Sequence, residues 1–412
     1  MPRRTGLLRT VKRALLGLVI AQLTALAALV GIERWRKWVW PQRGYFPRTP
    51  PTELAAGDTR VTVYTYGDDL YRDMLEAIRS ARRRVLFETF IIKDDNVGRE
   101  FKRALVAAAD RGVDVYVIYD EFANLVVPPS FFRFPGSVRV LRYPALRPGA
   151  LLFNIRKSGR DHRKILTVDG HTGFVGGYNI GALYATTWRD THLRLAGPSV
   201  WELENAFADF WNMHRRPTQP RISAEGTAPW APNIRAYRNV PEQLIYPIRA
   251  MYLEAIDRAN EHVLITSAYF VPDREFREAL LAAAERGVDV RILVPEASNH
   301  VIPDWLSRGL YTPLLRGGVS IWLFRDAMIH AKTATIDGRW STVGTANVDR
   351  LSLTGNYEIN LEIFDEKVAA HLERVFENDT ANARPVTRAE WEARPVLTRL
   401  GEMLVRPLRP LL

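Results

Sequence analysis

Two short stretches carry the residues whose types and spacing point to chemistry, "DHRKILTVDGHTGFVGGYN" (161–179) and "IHAKTATIDGRWSTVGTAN" (329–347). In the first, His162, Lys164, Asp169, Gly176 and Asn179 stand at intervals 0, 2, 7, 14 and 17, and His330, Lys332, Asp337, Gly344 and Asn347 repeat those intervals in the second. Only 8 of the 57 basic side chains are lysine, so two lysines at matching places are informative. With this composition a single His-x-Lys-x4-Asp arises by chance in roughly one chain in a hundred, and a matched pair is rarer.

The residues of "HRKILTVD" and "HAKTATID" alternate as in an extended strand, so His and Lys two apart project from one face. An imidazole beside an ammonium suits a phosphate. Lys164 and Lys332 each place a compact cation on a non-bridging oxygen, and Asn179 and Asn347 add amide donors. Gly176, Gly177 and Gly344 let backbone approach the same group. One half-site from each copy, meeting in a shared cleft, would hold one phosphate between two histidines.

Each histidine needs a partner that fixes its tautomer, normally a carboxylate. Counting 28 residues forward from His162 reaches Asp190 in "WRDTHLRL", and 28 from His330 reaches Glu358 in "NYEINLEI". The matched interval assigns Asp190 and Glu358 as orienting groups, each on the histidine of its own motif. Asp169 and Asp337 are left for structural hydrogen bonds or ion pairs near the site. The expected catalytic set is His162, Lys164, Asp169, His330, Lys332 and Asp337, with Asn179, Asn347, Gly177 and Thr345 around the phosphate. One neutral histidine attacks the phosphorus of a phosphodiester while the other, protonated, gives its proton to the departing alkoxide; the roles then reverse for an incoming hydroxyl. No metal or other cofactor is called for.

The elements that must position these residues are also repeated. "EFKRALVAAADRGVDV" (100–115) and "EFREALLAAAERGVDV" (275–290) agree at 12 of 16 positions. Each reads as an amphipathic helix ending at a C-capping glycine (Gly112, Gly287) and entering a buried strand. Helix and strand alternate through both halves, which gives an α/β layer architecture. The proline-rich stretch 215–247 reads as a connection between a first lobe (51–214) and a second (248–380). At 412 residues, 47% hydrophobic and 25% charged, the chain is long enough for two such units. It has no cysteine, which excludes disulfides, thiolate metal sites and cysteine nucleophiles. A net charge of +11 predicts an anionic partner, nucleic acid or a phospholipid surface.

The N-terminus favours the membrane. Residues 14–32, "ALLGLVIAQLTALAALVGI", form a stretch of 19 without charge, just long enough to span a bilayer, and Trp35, Trp38 and Trp40 among Arg34, Arg36 and Lys37 read as an interfacial belt. The competing reading is a cleaved signal peptide. Five Lys/Arg precede the span and five follow it closely, so charge bias leaves the orientation tied.

Paired His-x-Lys-x4-Asp motifs followed by Gly-Gly-x-Asn and Gly-Thr-x-Asn resemble the phospholipase D superfamily over about 70–365. Within it, "RDHRKILTVDG", "GGYNIG", "WRDTHLRLAGPSV", "AYFVPD", "RGVDVRILVP", "HAKTATIDG" and "GNYEINLEI" are most similar to bacterial cardiolipin synthases. The resemblance implies two similar lobes, each a mixed sheet flanked by helices and related by a pseudo-twofold. It also implies transfer of a phosphatidyl group from one phosphatidylglycerol to another without metal, His162 as nucleophile and His330 as acid and base. Both half-sites lie in one chain, so a monomer suffices, and no nucleic-acid partner is expected. Thr345 stands where the family usually has serine, and "YDEFANLVVP" lacks the usual Gly-Ser. Hydrolysis to phosphatidic acid and nuclease action are the rival activities.

Other features have plainer readings. His171, His192, His214, His262, His300 and His371 lack repeated partners and read as surface or satisfied structural residues. Glu88 in "VLFETFII" either approaches the site or is a hydrogen-bonded strand carboxylate. The tail, 381–412, either lies on a membrane surface or packs on its own domain.

Overall fold

The computed structural model describes residues 44–147, 159–227, 230 and 232–411, with Thr24, Ala27, Ala28, Val30, Gly31, Arg34, Trp35 and Trp38 upstream. The apolar stretch 14–32 therefore falls largely outside the described residues. Among the described residues no helix is long and apolar enough to cross a membrane.

In the first lobe β1 (Thr52–Ala56) and β2 (Thr59–Tyr64) precede α1 (Gly67–Ser80), β3 (Arg84–Thr89), α2 (Asn96–Asp110), β4 (Asp114–Asp120) and β5 (Val138–Tyr143). Next come β6 (Ile165–Val168), β7 (Thr172–Gly176), α3 (Ala182–Thr186), the short β8 (Trp188–Arg189), β9 (His192–Ala196) and α4 (Val200–His214). The eight-stranded sheet runs β1-β2-β9-β7-β6-β3-β4-β5. It is mixed: β3, β4 and β5 pair in parallel, whereas β3–β6, β6–β7 and β7–β9 are antiparallel.

The second lobe repeats this plan. It comprises β10 (Ile234–Asn239), α5 (Pro247–Asp257), β11 (His262–Ser267), α6 (Arg274–Glu285), β12 (Asp289–Pro295), α7 (Val301–Arg316), β13 (Ser320–Phe324) and β14 (Met328–Ile329). Then follow β15 (Lys332–Ile336), β16 (Trp340–Gly344), α8 (Arg350–Thr354), β17 (Glu358–Phe364), α9 (Glu366–Thr380), β18 (Ala383–Pro385), α10 (Arg388–Glu392) and α11 (Val396–Val405). Its eight-stranded sheet runs β10-β17-β16-β15-β11-β12-β13-β18.

The repeated 16-residue segment folds alike in both places. Asp95 and Asp273 cap α2 and α6 by accepting from the Gly98 and Phe276 amides. Phe101, Leu105 and Ala108 face the core from α2, as Phe276, Leu280 and Ala283 do from α6, on the 3.6-residue period of one helical face. Gly112 and Gly287 adopt φ of 88° and 91°, the left-handed region that ends a helix.

Two stretches do more than connect. Within 215–247, "IRAYRN" forms β10 and pairs antiparallel along β17, with Ile234 fully buried between the lobes. Pro232 and Pro241 flank the strand, which lies at the edge of its sheet. In the tail, β18 joins β13 and α11 packs against α7, while Arg394, just before α11, makes a paired contact with Glu402 on it. The outer face of α11 leaves Val396, Leu400, Met403 and Leu404 exposed.

The lobes share a core. Val61, Val63, Val175, Leu193 and Leu195 of the first sheet pack with Val343, Ile359, Leu361 and Ile363 of the second. A buried Arg189 guanidinium meets Asp379 through two hydrogen bonds of 2.8 and 2.6 Å, tying the lobes together.

Asp169 and Asp337 do not belong with the catalytic residues. Asp169 follows the far end of β6, about 16 Å of extended chain beyond Lys164. With φ of 56° it accepts from the amides of Arg82, Arg83 and Arg84 at 2.9, 2.8 and 2.8 Å. Asp337, with φ of 52°, accepts likewise from Asn260, Glu261 and His262 at 2.8, 2.9 and 2.9 Å. Each satisfies the amides at the entry to the strand beside it, and a short polar side chain suits the left-handed turn. Asp169→Ala should therefore lower stability by about 1–2 kcal/mol in urea denaturation while leaving KM of the folded enzyme unchanged. A rise in KM without loss of stability would put Asp169 back in the site.

Candidate active site

The antiparallel turn of each motif brings its histidine and lysine to the edge where the lobes meet. The residue before each histidine pairs in parallel with the residue before the other lobe's carboxylate: Asp161 with Tyr357, and Ile329 with Arg189. The His162 amide donates to the Tyr357 carbonyl at 3.0 Å, and the His330 amide to the Arg189 carbonyl at 2.6 Å.

This pairing crosses the orienting groups. His162 Nδ1 lies 2.9 Å from Glu358 Oε2, and His330 Nδ1 lies 2.6 Å from Asp190 Oδ2. Both carboxylates do meet histidines, but not those of their own motifs. The within-motif assignment is therefore corrected: β8 and β17 each begin against the opposite lobe. With Nδ1–H donated to a carboxylate, Nε2 of each ring is the nitrogen left for chemistry.

Lys164 and Lys332 are almost fully buried, and each Nζ donates to the carbonyl of its own histidine. Asn179 Oδ1 accepts from the Ile91 amide at 3.2 Å, which leaves its NH2 as a donor. Asn347 is buried, and its Oδ1 has no partner.

Gly177 and Thr345 act on the carboxylates. A Cβ at Gly177 would stand 2.0 Å from Asp190 Oδ1, so only glycine admits that side chain. Thr345 donates its hydroxyl to Glu358 Oε2 at 2.5 Å while accepting from the Ile359 amide at 3.0 Å. Neither fills the phosphate-binding place assigned from its spacing. They hold the groups that hold the histidines.

Burial dominates the electrostatics. It pushes Lys164 down to about 7 and Lys332 to about 8; the two ammonium groups also face the same cleft, and Lys332 lowers Lys164 further. Burial, reinforced by the lysines, lowers His330 to about 3 and holds His162 well below its ordinary value. The two carboxylates diverge. Burial raises Glu358 to about 8, whereas at Asp190 burial is outweighed by Lys332 and His330, so it stays below the usual range. Nearby charge and desolvation thus give the half-sites different protonation preferences.

Several contributing residues carried no repeat signal. The Phe90 ring lies 4.6 Å from the His162 ring, and Trp188 lies 5.1 Å from His330. Arg160, Tyr269, Asn299 and Asp349 line a cavity of about 600 Å³ that opens onto His162, and Val30 and Ile302 contribute to its apolar wall. Glu88 lies behind this centre, ion-paired with buried Arg163, and is a strand carboxylate. Among the described residues no cluster of His, Asp and Glu is arranged to hold a metal ion.

The chain is similar to known proteins in sequence and in fold. The family model for "Cardiolipin synthase, PLD-like domain" matches residues 74–211 and 252–380, one match in each lobe. The chain is 32% identical over 372 residues to cardiolipin synthase 2 of Staphylococcus epidermidis, covering 86% of this chain and 75% of that protein. It is also 32% identical over 377 residues to the major cardiolipin synthase ClsA of Bacillus subtilis, covering 86% and 76%. In fold it is similar to the crystal structure of phosphatidylserine synthase from Haemophilus influenzae, with a TM-score of 0.67 at 15% identity over 91% of this chain and 96% of that one. With both lobes matched and its relatives covered over most of their length, the chain belongs to the phospholipase D-like cardiolipin synthase family.

Proposed function

We propose that this protein is a phosphatidyltransferase that makes cardiolipin and glycerol from two molecules of phosphatidylglycerol through a phosphohistidine. The observation that carries the reading is the pair of histidines, each hydrogen-bonded through Nδ1 to a carboxylate of the opposite lobe beside a buried lysine. The relatives, named as cardiolipin synthases, support the lipid product.

The unlike carboxylates support His162 as nucleophile. His162 is held neutral, and the Glu358 beside it tends to keep its own proton. His330 instead faces an ionised Asp190, which stabilises an imidazolium. Nε2 of His162 forms the bond to phosphorus as the P–O bond to the leaving glycerol breaks, and His330 delivers its proton to that oxygen. The second phosphatidylglycerol then gives its hydroxyl proton to His330, its oxygen bonds to phosphorus, and the P–N bond breaks. Lys164, Lys332 and the amides of Asn179 and Asn347 bind the non-bridging oxygens and stabilise the charge of the transition state.

The apolar stretch 14–32 anchors the enzyme, and the exposed Val396, Leu400, Met403 and Leu404 of α11 rest on the same membrane. Hydrolysis is the rival outcome, since water can attack the same phosphohistidine.

Incubation with phosphatidylglycerol vesicles, without divalent metal, should give cardiolipin and glycerol by mass spectrometry, and His162→Ala should lower the rate on the order of 10⁴-fold. Phosphatidic acid as the sole lipid product would make the protein a hydrolase.

Asp190→Asn and Glu358→Gln should each slow turnover by about 10²–10⁴-fold. Because the pairs are crossed, ¹⁵N NMR of the histidines should show Asp190→Asn shifting His330 and Glu358→Gln shifting His162. The opposite pattern would refute the exchange.

Both lysines are charged below their lowered pKa values and lose their protons as pH rises through about 7 and about 8. KM for the anionic substrate should therefore rise between pH 7 and 9, and inhibition by vanadate should weaken in parallel. A KM flat to pH 9 would contradict this.

A further inference from the structure

The two lobes differ where the motifs end. Two residues past Asn179 the first lobe has Gly181, and two residues past Asn347 the second has Asp349. Both begin a short helix. Asp349 Oδ1 caps α8 by accepting from the Ser352 amide at 2.7 Å, whereas the corresponding turn of α3 is capped from outside by Asp95, which accepts from the Ala182 amide at 2.7 Å.

Capping alone does not explain an acid here. A serine or asparagine caps as well, and burying a carboxylate is costly. Asp349 is only 7% exposed and lines the cavity that opens onto His162. Ser352 occupies two of its acceptor positions, and a carboxylate has roughly four. Beside it Asn347, 3% exposed and lining the same cavity, has an Oδ1 with no partner.

The cavity thus presents two neighbouring acceptors next to a phosphate site. Burial lifts Asp349 to about 7, so it is an acceptor alone only where it is ionised; in that form an ionised phosphodiester, which carries acceptors only, satisfies neither it nor the Asn347 oxygen. A group with two adjacent hydroxyls satisfies both.

We propose that Asp349, with the Asn347 amide oxygen beside it, accepts hydrogen bonds from the vicinal diol of a glycerol headgroup and so selects phosphatidylglycerol over lipids with simple alcohol headgroups. This deepens the lipid reading above and rests on it. The diol belongs either to the donor, as its departing glycerol, or to the acceptor, and the chemistry of recognition is the same.

Asp349→Asn and Asp349→Ser both retain a capping side chain, so helix α8 should persist. In the donor arm, headgroup release from phosphatidylglycerol is compared with release from phosphatidylethanol of the same acyl chains. In the acceptor arm, phosphatidylethanol is the donor and glycerol competes with 1-propanol for the phosphatidyl group. Both variants should lower the preference for the glycerol compound at least tenfold in one arm, and that arm identifies which diol is held.

A loss of charge that merely disturbed Lys332 would slow all substrates alike. Unchanged preference in both arms, whatever the absolute rates, would therefore overturn the assignment. A wild-type enzyme that converts neither lipid would sink the lipid reading, and the diol with it. A wild type that converts phosphatidylglycerol, with variants of unaltered preference, would sink the diol alone.

Discussion

Everything at this site depends on an exchange between the lobes. The backbone before each histidine is paired with the backbone before the other lobe's carboxylate, and the same short contact hands each imidazole its partner. Neither half-site is complete alone. The interlobe core and the buried Arg189–Asp379 pair have to hold this register, because a carboxylate displaced by an ångström no longer fixes an imidazole. Arg189 serves twice, since its carbonyl receives the His330 amide while its guanidinium is locked to α9.

Much of this was legible in the sequence because it is local. The strand alternation, the capped helices α2 and α6, the glycine turns and the spacing of His, Lys and Asn all follow from short stretches of chain, and the repeat confirmed them. The exchange was not legible for a simple reason. If each carboxylate lies 28 residues past its own histidine, pairing within a lobe and pairing across a pseudo-twofold leave the same intervals in the sequence. Spacing identifies the four residues and is silent about which two meet.

A matched interval also overstates kinship of role. Asp169 and Asp337 recur with the histidines because the same strand needs the same capped turn at its far end, whereas Gly177 is matched by Thr345, the one making room for its carboxylate and the other donating to it. Asp349 carries no repeat signal, because the second lobe differs from the first at that position. The catalytic frame is what the lobes share, so selectivity for one substrate end over another has to be sought where they differ.

The electrostatic design follows from placing two ammonium groups and two imidazoles out of water in one cleft. Alone, these groups repel, and burial shifts all four toward their neutral forms. A phosphodiester supplies the opposite charge. Its arrival favours charged lysines and makes a proton on His330 less costly, so on the proposed mechanism substrate binding itself would prepare the acid that the leaving group requires. That proton is then drawn toward one ring rather than the other because Asp190 is ionised and Glu358 resists ionisation. On the proposed mechanism, the two half-sites would acquire different duties from the different surroundings of their carboxylates.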